Sequence, residues 1–200
     1  MALFPFNTNR ARQAQSDVAG TRTTLLSPVM YTPGSPVVDD TNWFVESANM
    51  KVGAYTLAHT APDVGARNVT VTQTAVGAED TNGTIAVVGT DLAGAVITET
   101  LTPNAGATVA GAKCFATITS ITGVGWVIGE GNDTVVLGFG ALIGLPDRLS
   151  DTGQFLFASL GGVKEATAPA VTVSATVLDL NAVDLNSALN GSAVNLYYLV

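Results

Sequence analysis

The segment Val96-Ile97-Thr98-Glu99-Thr100-Leu101-Thr102 decides the fold, because β-branched apolar and β-branched polar residues alternate along it. Related patterns occur in Val69-Thr70-Val71-Thr72, in Ile85-Ala86-Val87-Val88 and in Ala116-Thr117-Ile118-Thr119-Ser120-Ile121. Glycine-bearing turns separate these segments. A period of two in β-branched residues builds strands with one buried and one solvated face. The sequence from about 68 to 139 therefore predicts antiparallel β structure.

Turn signals divide this region into short strands. Asp91-Leu92-Ala93-Gly94 predicts a hairpin turn between a strand at 84–90 and a strand at 95–102, and 134–139 predicts a strongly apolar strand. Strands that recur with turns about every 8–12 residues are typical of sandwiches and barrels. The sequence shows no long amphipathic helical pattern. We therefore expect an all-β protein, a β-sandwich of either the jelly-roll or the immunoglobulin-like type.

Further strands are predicted on both sides of this region. Segments 43–47 and 51–57 are expected to be the first strands of the domain, and 171–177 alternates cleanly. In Phe155-Leu156-Phe157-Ala158 the alternation predicts that both aromatic rings point inward. The chain ends on an apolar strand after Asn190-Gly191, and such a strand is normally buried by pairing in its own sheet or in a neighbour's.

The first forty residues have a different character. Prolines at 28, 33 and 36 fix extended geometry and remove backbone donors, which predicts an arm or linker and not a central strand. We therefore divide the chain into an extended N-terminal arm at 1–40 and a β-sandwich domain at 41–200, with 150–200 as a possible small C-terminal subdomain. An arm that folds back over its own sandwich is the alternative.

Composition and charge indicate which partners to expect. Charged residues make up 12% of the chain, about half the usual share, so small polar residues must cover a surface suited to packing against copies or partners. Arg10, Arg12 and Arg22 against Asp17 give residues 1–38 a net charge of +2, which leaves −10 on the rest of a chain whose total is −8. An acidic body argues against nucleic acid as a partner. The arginines either reach an acidic neighbouring surface or only solubilise the terminus.

The residues that could carry chemistry form no recognisable site. Cys114 is the single cysteine, which we expect at an inward strand position as a small hydrophobe, and the single histidine, His59, has no motif around it. Gly129-Glu130-Gly131-Asn132-Asp133 offers oxygen ligands but lacks the spacing of a calcium loop, so a solvated turn is the preferred interpretation. We expect no catalytic residue, no metal and no cofactor, and hence no enzyme. Neither a secretory signal nor a membrane-spanning apolar run is predicted.

Several segments together resemble virion structural proteins of tailed bacteriophages, most of all capsid decoration or cement proteins. The first is the hairpin Ile85-Ala86-Val87-Val88-Gly89-Thr90-Asp91-Leu92-Ala93-Gly94-Ala95-Val96-Ile97-Thr98-Glu99-Thr100-Leu101, followed by Phe115-Ala116-Thr117-Ile118-Thr119-Ser120-Ile121. The others are Ile143-Gly144-Leu145-Pro146 and Ala188-Leu189-Asn190-Gly191-Ser192 with the ending Tyr197-Tyr198. The resemblance covers roughly residues 84–200 and does not extend to the arm.

The resemblance implies a protein made in the host cytoplasm and located on the capsid surface of the virion, where it binds the major capsid protein and itself, as a trimer or dimer. No nucleic acid and no membrane are expected as partners. From the exposed aromatic and basic residues of the arm we predict partner contacts at Phe4, Phe6, Arg10, Arg12 and Tyr31. Two alternatives remain: a neck, head–tail joining or tail protein, and a receptor- or glycan-binding module that would use Trp43, Tyr197 and Tyr198.

Overall fold

The computed structural model describes residues 26–49, 53–73, 82–104, 106–127 and 134–200, together with the backbone of 13–15 and 22–24. The predicted contact residues Phe4, Phe6, Arg10 and Arg12 lie outside this part of the chain, as does the oxygen-rich turn at 129–133.

All strand pairs of the described backbone are antiparallel, which confirms the predicted all-β fold. Two short 3₁₀ turns, Thr152–Gln154 and Leu178–Leu180, are the helical elements of the described part. The strands are β1 (Gln13–Gln15), β2 (Arg22–Thr24), β3 (Pro28–Gly34), β4 (Asp40–Asn49), β5 (Arg67–Gln73), β6 (Thr84–Thr90), β7 (Val96–Leu101), β8 (Thr108–Phe115), β9 (Thr117–Val124), β10 (Thr134–Gly144), β11 (Phe155–Leu160), β12 (Val163–Lys164), β13 (Ala170–Thr172), β14 (Ala182–Asp184) and β15 (Val194–Leu199).

The first hydrophobic core lies between two sheets. One sheet contains β8, β5, β10 and β4, and the other has the order β7-β6-β9. Burial alternates strictly along β6, where Ile85 and Val87 are fully buried, as the period of two in the sequence requires. Phe44, Phe115 and Phe139 fill the space between the sheets. This arrangement is a sandwich of antiparallel sheets.

A second hydrophobic core is built mainly from the C-terminal part of the chain. Its four-stranded sheet has the order β12-β11-β15-β3, and it packs with β14 and the end of β10 around Ile143, Leu145 and Leu196. The last strand, β15, pairs with β11 on one side and β3 on the other. The apolar C-terminal strand is therefore buried by pairing in its own sheet.

Strand β10 runs through both cores. Its residues Val135 and Leu137 belong to the first core, whereas Ile143 belongs to the second. Strand β5 pairs with one side of β10, and β4 and β14 pair with successive parts of the other side. The two cores consequently share one continuous strand.

Buried Asn181 ties the loops of the second core together. Its side-chain oxygen accepts hydrogen bonds from the backbone of Leu149 and Ser174, each at 3.0 Å. Its amide group donates to the carbonyl oxygens of Ser174, Val177 and Leu178. A fully buried amide that uses both of its ends in this way fixes the loop at Leu149 and the segment 174–178 with one side chain.

Several segments differ from the sequence predictions, and of the strand expected at 171–177 only Val171 and Thr172 lie in a strand, β13. Residues 28–34, assigned to the arm, form edge strand β3 of the second core. Strand β8 at Thr108–Phe115 was expected only around Cys114, because the glycine and alanines before it weaken the apolar alternation. The strand predicted at 51–57 is wrong for its described residues, 53–57, where a single bridge joins Ala54 to Thr122.

Candidate interaction surface

The outer face of the four-stranded sheet carries exposed apolar and aromatic side chains. Phe157 on β11 stacks on Tyr197 of β15, with ring centroids 4.3 Å apart and an interplanar angle of 20°. Met30 lies opposite Tyr197 in the pairing of β3 with β15, and its side chain is 59% exposed. Leu156 on β11 is 49% exposed. We call these four residues the aromatic face.

Local strand geometry explains why these residues point outward. Along β15 the buried residues alternate with half-buried ones, so Tyr198 faces the core and Tyr197 faces away. A register shift between Phe155 and Phe157 interrupts the alternation on β11. The prediction that both phenylalanines point inward is therefore wrong for Phe157, because a β-bulge adds a residue and re-aims the side chains that follow.

The aromatic face continues into a shallow cavity beside β12. Lys164 lies above the Phe157 ring, with its ammonium nitrogen 5.0 Å from the ring centroid, which is a favourable cation–π distance. The cavity has a volume of about 160 Å³ and is lined by Leu156, Phe157 and Lys164 together with 165–169. Stacked rings beside a cavity can hold a flat or apolar group of a partner.

The two ends of the described chain meet at the margin of this sheet. The backbone N–H of Ser27 donates to the carbonyl oxygen of Val200 at 2.6 Å, and the N–H of Val200 donates to Ser27 at 3.0 Å. The continuously described chain therefore begins at Leu26, directly before β3. Phe4, Phe6, Arg10 and Arg12 precede this point in the sequence.

Tyr31 is the predicted contact residue that the structure describes. Its ring is half-buried against the second core of its own chain, and burial raises the pKa of its phenol. Its side chain points to the face of β3 opposite Met30. Tyr31 thus packs within its own chain, and its contact with a partner stays a prediction.

The three predicted glycan-binding residues do not form one platform. Tyr198 is fully buried, with its hydroxyl donating to Asp147 at 2.7 Å, so its inclusion in an exposed cleft is wrong. Trp43 stacks on His59 with centroids 4.0 Å apart, and its indole N–H donates to the carbonyl oxygen of Ala61. Of the three, Tyr197 lies on the aromatic face.

The single thiol is confirmed as a buried strand residue. Cys114 packs with Ala66 and Ala182 between the two cores, and burial raises its pKa to about 12. The thiol is therefore protonated and shielded at neutral pH, as expected of a small hydrophobe. Among the described residues, no cluster of three or more histidine, cysteine, aspartate or glutamate side chains is placed to hold a metal ion.

A second cavity of about 280 Å³ lies between the start of β4 and the loop at 185–189. Its lining includes Asp39 and Asp184, with Ala141 of β10. Within the described part of the chain, no helix is both long and apolar enough to cross a membrane.

In comparisons with protein-family models, curated protein sequences and solved structures, the chain has no match.

Proposed function

We propose that this chain is a non-enzymatic structural protein of a tailed-phage particle, which binds the outside of the capsid shell and stabilises it. Its partners in this proposal are the major capsid protein and further copies of itself. It would be made in the host cytoplasm and reside on the capsid surface of the virion. The likeness of segments in 84–200 to decoration proteins is the reason for proposing a phage particle. The aromatic face is the surface that we propose binds the shell.

The observation that carries the proposal is the aromatic face. Met30 and Leu156 expose large apolar side chains to water beside the Phe157–Tyr197 stack. Aromatic residues and methionine are enriched at protein interfaces, where a few of them contribute most of the binding energy. A contiguous patch of this kind on a rigid sheet fits a docking surface for a protein partner.

Repetition of the shell makes modest contacts sufficient. A decoration protein meets many equivalent sites, and a copy that touches two neighbouring shell subunits gains affinity from effective concentration. The aromatic face provides one contact in this scheme, and the basic N-terminal segment, tethered at Leu26, provides the second. A rigid sandwich between the two contacts would resist outward displacement of the shell.

The test is the copy number of the protein in purified particles, measured by quantitative mass spectrometry against the major shell protein. A number of copies comparable with that of the shell subunits would support the proposal. A few copies per particle would indicate the alternative neck or tail location. Absence from the particle would overturn a virion role altogether.

A matched pair of variants tests the surface itself. Tyr197→Ser removes one ring of the aromatic face. Val96→Ser makes a similar polar change at an apolar residue that is 76% exposed on β7, in the sandwich around the first core. We expect Tyr197→Ser to weaken binding to undecorated shells at least about tenfold, since loss of an interface hot spot costs about 2 kcal/mol or more. Val96→Ser should bind as the unmodified chain does, and equal binding by both variants would exclude the aromatic face.

A second candidate function has support from the cavity beside Phe157. Stacked aromatic rings bordering a cavity also suit carbohydrate binding, with Tyr197 as the platform. The isolated protein would then bind host cells or their surface polysaccharides, and Tyr197→Ser would abolish that binding. Saturable binding to cells by the isolated protein would favour this receptor-binding alternative over shell stabilisation.

A further inference from the structure

Most strand edges of the described sheets are covered by other parts of the chain. On the edge of β9 that faces away from β6, the carbonyl oxygen of Ile121 accepts a hydrogen bond from the N–H of Tyr55. The N–H of Gly123 donates to the carbonyl oxygen of Gly53. On β4, the carbonyl oxygen of Phe44 accepts a hydrogen bond from Ala58. These contacts occupy the edge of β9 at two positions and the edge of β4 at one, which hinders the addition of another strand there.

The remaining edges are short or bridged, with the exception of β3. Glu99 on β7 accepts hydrogen bonds from the backbone of Ala112 and Lys113 on β8, so these two edge strands face one another. Strands β12 and β13 have two and three residues. Strand β3 has seven residues and one described neighbour, β15, so its other edge is open within the described part of the chain.

The hydrogen-bond alternation of β3 shows which backbone groups face this open edge. Ser27 exchanges both backbone hydrogen bonds with Val200, so the odd-numbered residues up to Tyr31 direct their polar groups towards β15. Met30 therefore directs its N–H and C=O groups away from the sheet, and the N–H of Thr32, which follows Tyr31 at the start of the register shift, also points away. Pro28 lacks an N–H at the start of this row, and Pro33 lies where the register with β15 shifts.

We propose that β3 pairs with β3 of a second copy of this chain, antiparallel, about a twofold axis at Tyr31. Met30 then lies opposite Thr32 of the second copy, and the two residues exchange both backbone hydrogen bonds. The second Met30–Thr32 pair, related by the axis, does the same. The two four-stranded sheets become one continuous sheet, and the two aromatic faces lie side by side on it.

Charge favours a second copy as the occupant of this edge. The chain has a net charge of −8, so two copies repel each other over most of their surfaces. Residues 26–38 contain no charged side chain, so the β3 edge brings no charge of its own to the contact. An antiparallel edge strand is also self-complementary about a twofold axis, which is the symmetry of most soluble homodimers.

Engineered disulfides test both the partner and the register. In the proposed pair the Cα atoms of Met30 and Thr32 of the second copy are about 5.5 Å apart, within the range that a disulfide spans. We expect the double variant Met30→Cys/Thr32→Cys to form a covalent dimer under mild oxidation, whereas each single variant and Val163→Cys on the opposite edge of the sheet should not. The native Cys114 is buried and will not interfere.

Sedimentation of the isolated full-length protein supplies the second readout. Met30→Glu places like charges beside the axis and should raise the dimer dissociation constant at least tenfold. Val163→Glu, at an apolar residue that is 71% exposed on β12, should leave it unchanged. A monomeric unmodified chain would overturn the proposal, as would a dimer that Met30→Glu leaves intact or that the double-cysteine variant does not trap.

This inference supplies the surface for the self-association included in the proposed function. Its test needs neither particles nor shell protein. Its failure is therefore distinguishable from a failure of shell binding, which the copy number measures.

Discussion

Arg67 on β5 shows how a single side chain can hold a loop and a neighbouring strand, β10, in place. It is fully buried, and its guanidinium donates from Nε and Nη2 to the carbonyl oxygen of Gly140, at 2.9 and 2.6 Å. Nη1 lies 2.9 Å from a carboxylate oxygen of Asp63, and the guanidinium carbon is 4.5 Å from the centroid of the Phe139 ring. A buried charge is tolerated only when it is paired and hydrogen-bonded in this way.

We predict that Arg67→Met lowers the free energy of unfolding by about 3–5 kcal/mol, the range observed when one partner of a buried ion pair is removed. The substitution leaves the Gly140 carbonyl without its donors and the Asp63 carboxylate without its cation. Urea unfolding measures the effect. Arg148→Met at an exposed arginine is the matched control and should change stability by less than about 0.5 kcal/mol. Equal effects of the two substitutions would contradict the prediction.

Glu99 is a second residue whose environment sets a measurable property. Burial raises the pKa of its carboxyl above the ordinary value of 4.5, although hydrogen bonds from the backbone of Ala112 and Lys113 oppose that shift. A carboxyl whose pKa is higher in the folded than in the unfolded protein favours folding most at low pH. That contribution is lost as the pH rises through the folded-state pKa.

The Glu99→Gln variant should therefore gain stability relative to the unmodified protein as the pH is raised from below 4.5 to neutrality. Glutamine keeps an acceptor for the two backbone donors and cannot ionise. Free energies of unfolding in urea across this pH range give the difference directly. Glu46→Gln on the exposed face of β4 controls for the change in net charge. A difference that stays constant with pH, or falls, would rule out the assigned role of Glu99.

At the scale of strands, the alternation of apolar and polar side chains predicted the positions of strands, but not the irregularities within them or their pairing. The period of two in 84–90 and 96–102 predicted β6 and β7, and Asp91-Leu92-Ala93-Gly94 forms the expected turn with Gly94 at φ +79. A period cannot indicate a bulge, so the outward position of Phe157 was missed. The aromatic face combines β3, β11 and β15, which lie far apart in the sequence, and their pairing is a tertiary property.

Strand pairing also explains why residue 138 is a glycine, which the sequence pattern did not indicate. Gly138 lies in the middle of β10, within the register shift between Leu137 and Phe139 in its pairing with β4. A Cβ atom at this position would collide with the carbonyl oxygen of Asp40, which belongs to the backbone of β4 and cannot rotate away. The absence of a side chain is what permits the close approach of the two strands.

We predict that Gly138→Ala destabilises the protein by more than about 1–3 kcal/mol, the usual cost of overpacking, because the clash is with backbone and not with a flexible side chain. Gly53→Ala is the matched control, since its added Cβ would be 3.9 Å from its nearest neighbour, the carbonyl oxygen of Gly123. Thermal unfolding of both variants measures the difference. Similar midpoints would show that β4 and β10 can move apart at little cost.

For the molecule as a whole, the question is whether its two cores behave as one cooperative unit. Strand β10 contributes residues to both of them. Between them, Lys113 of β8 lies 2.9 Å from the carboxylate of Asp179 in the second 3₁₀ turn, and Cys114 packs against Ala66 and Ala182. A shared strand and a packed joint should transmit the loss of either core to the other.

The two tryptophans allow this coupling to be measured, because Trp43 and Trp126 both pack against the first core. Leu196→Ala removes a fully buried side chain from the second core and should cost about 2–5 kcal/mol. If the cores unfold together, tryptophan fluorescence will report this loss as a lower urea midpoint, although neither tryptophan touches the altered site. Leu156→Ala, at a half-exposed residue of the same sheet, is the control and should shift the midpoint far less. Alkylation of Cys114, whose raised pKa and burial protect it in the folded state, should begin over the same urea range. A fluorescence midpoint unmoved by Leu196→Ala would instead show that the first sandwich unfolds independently and that β10 is a mere connection between two domains.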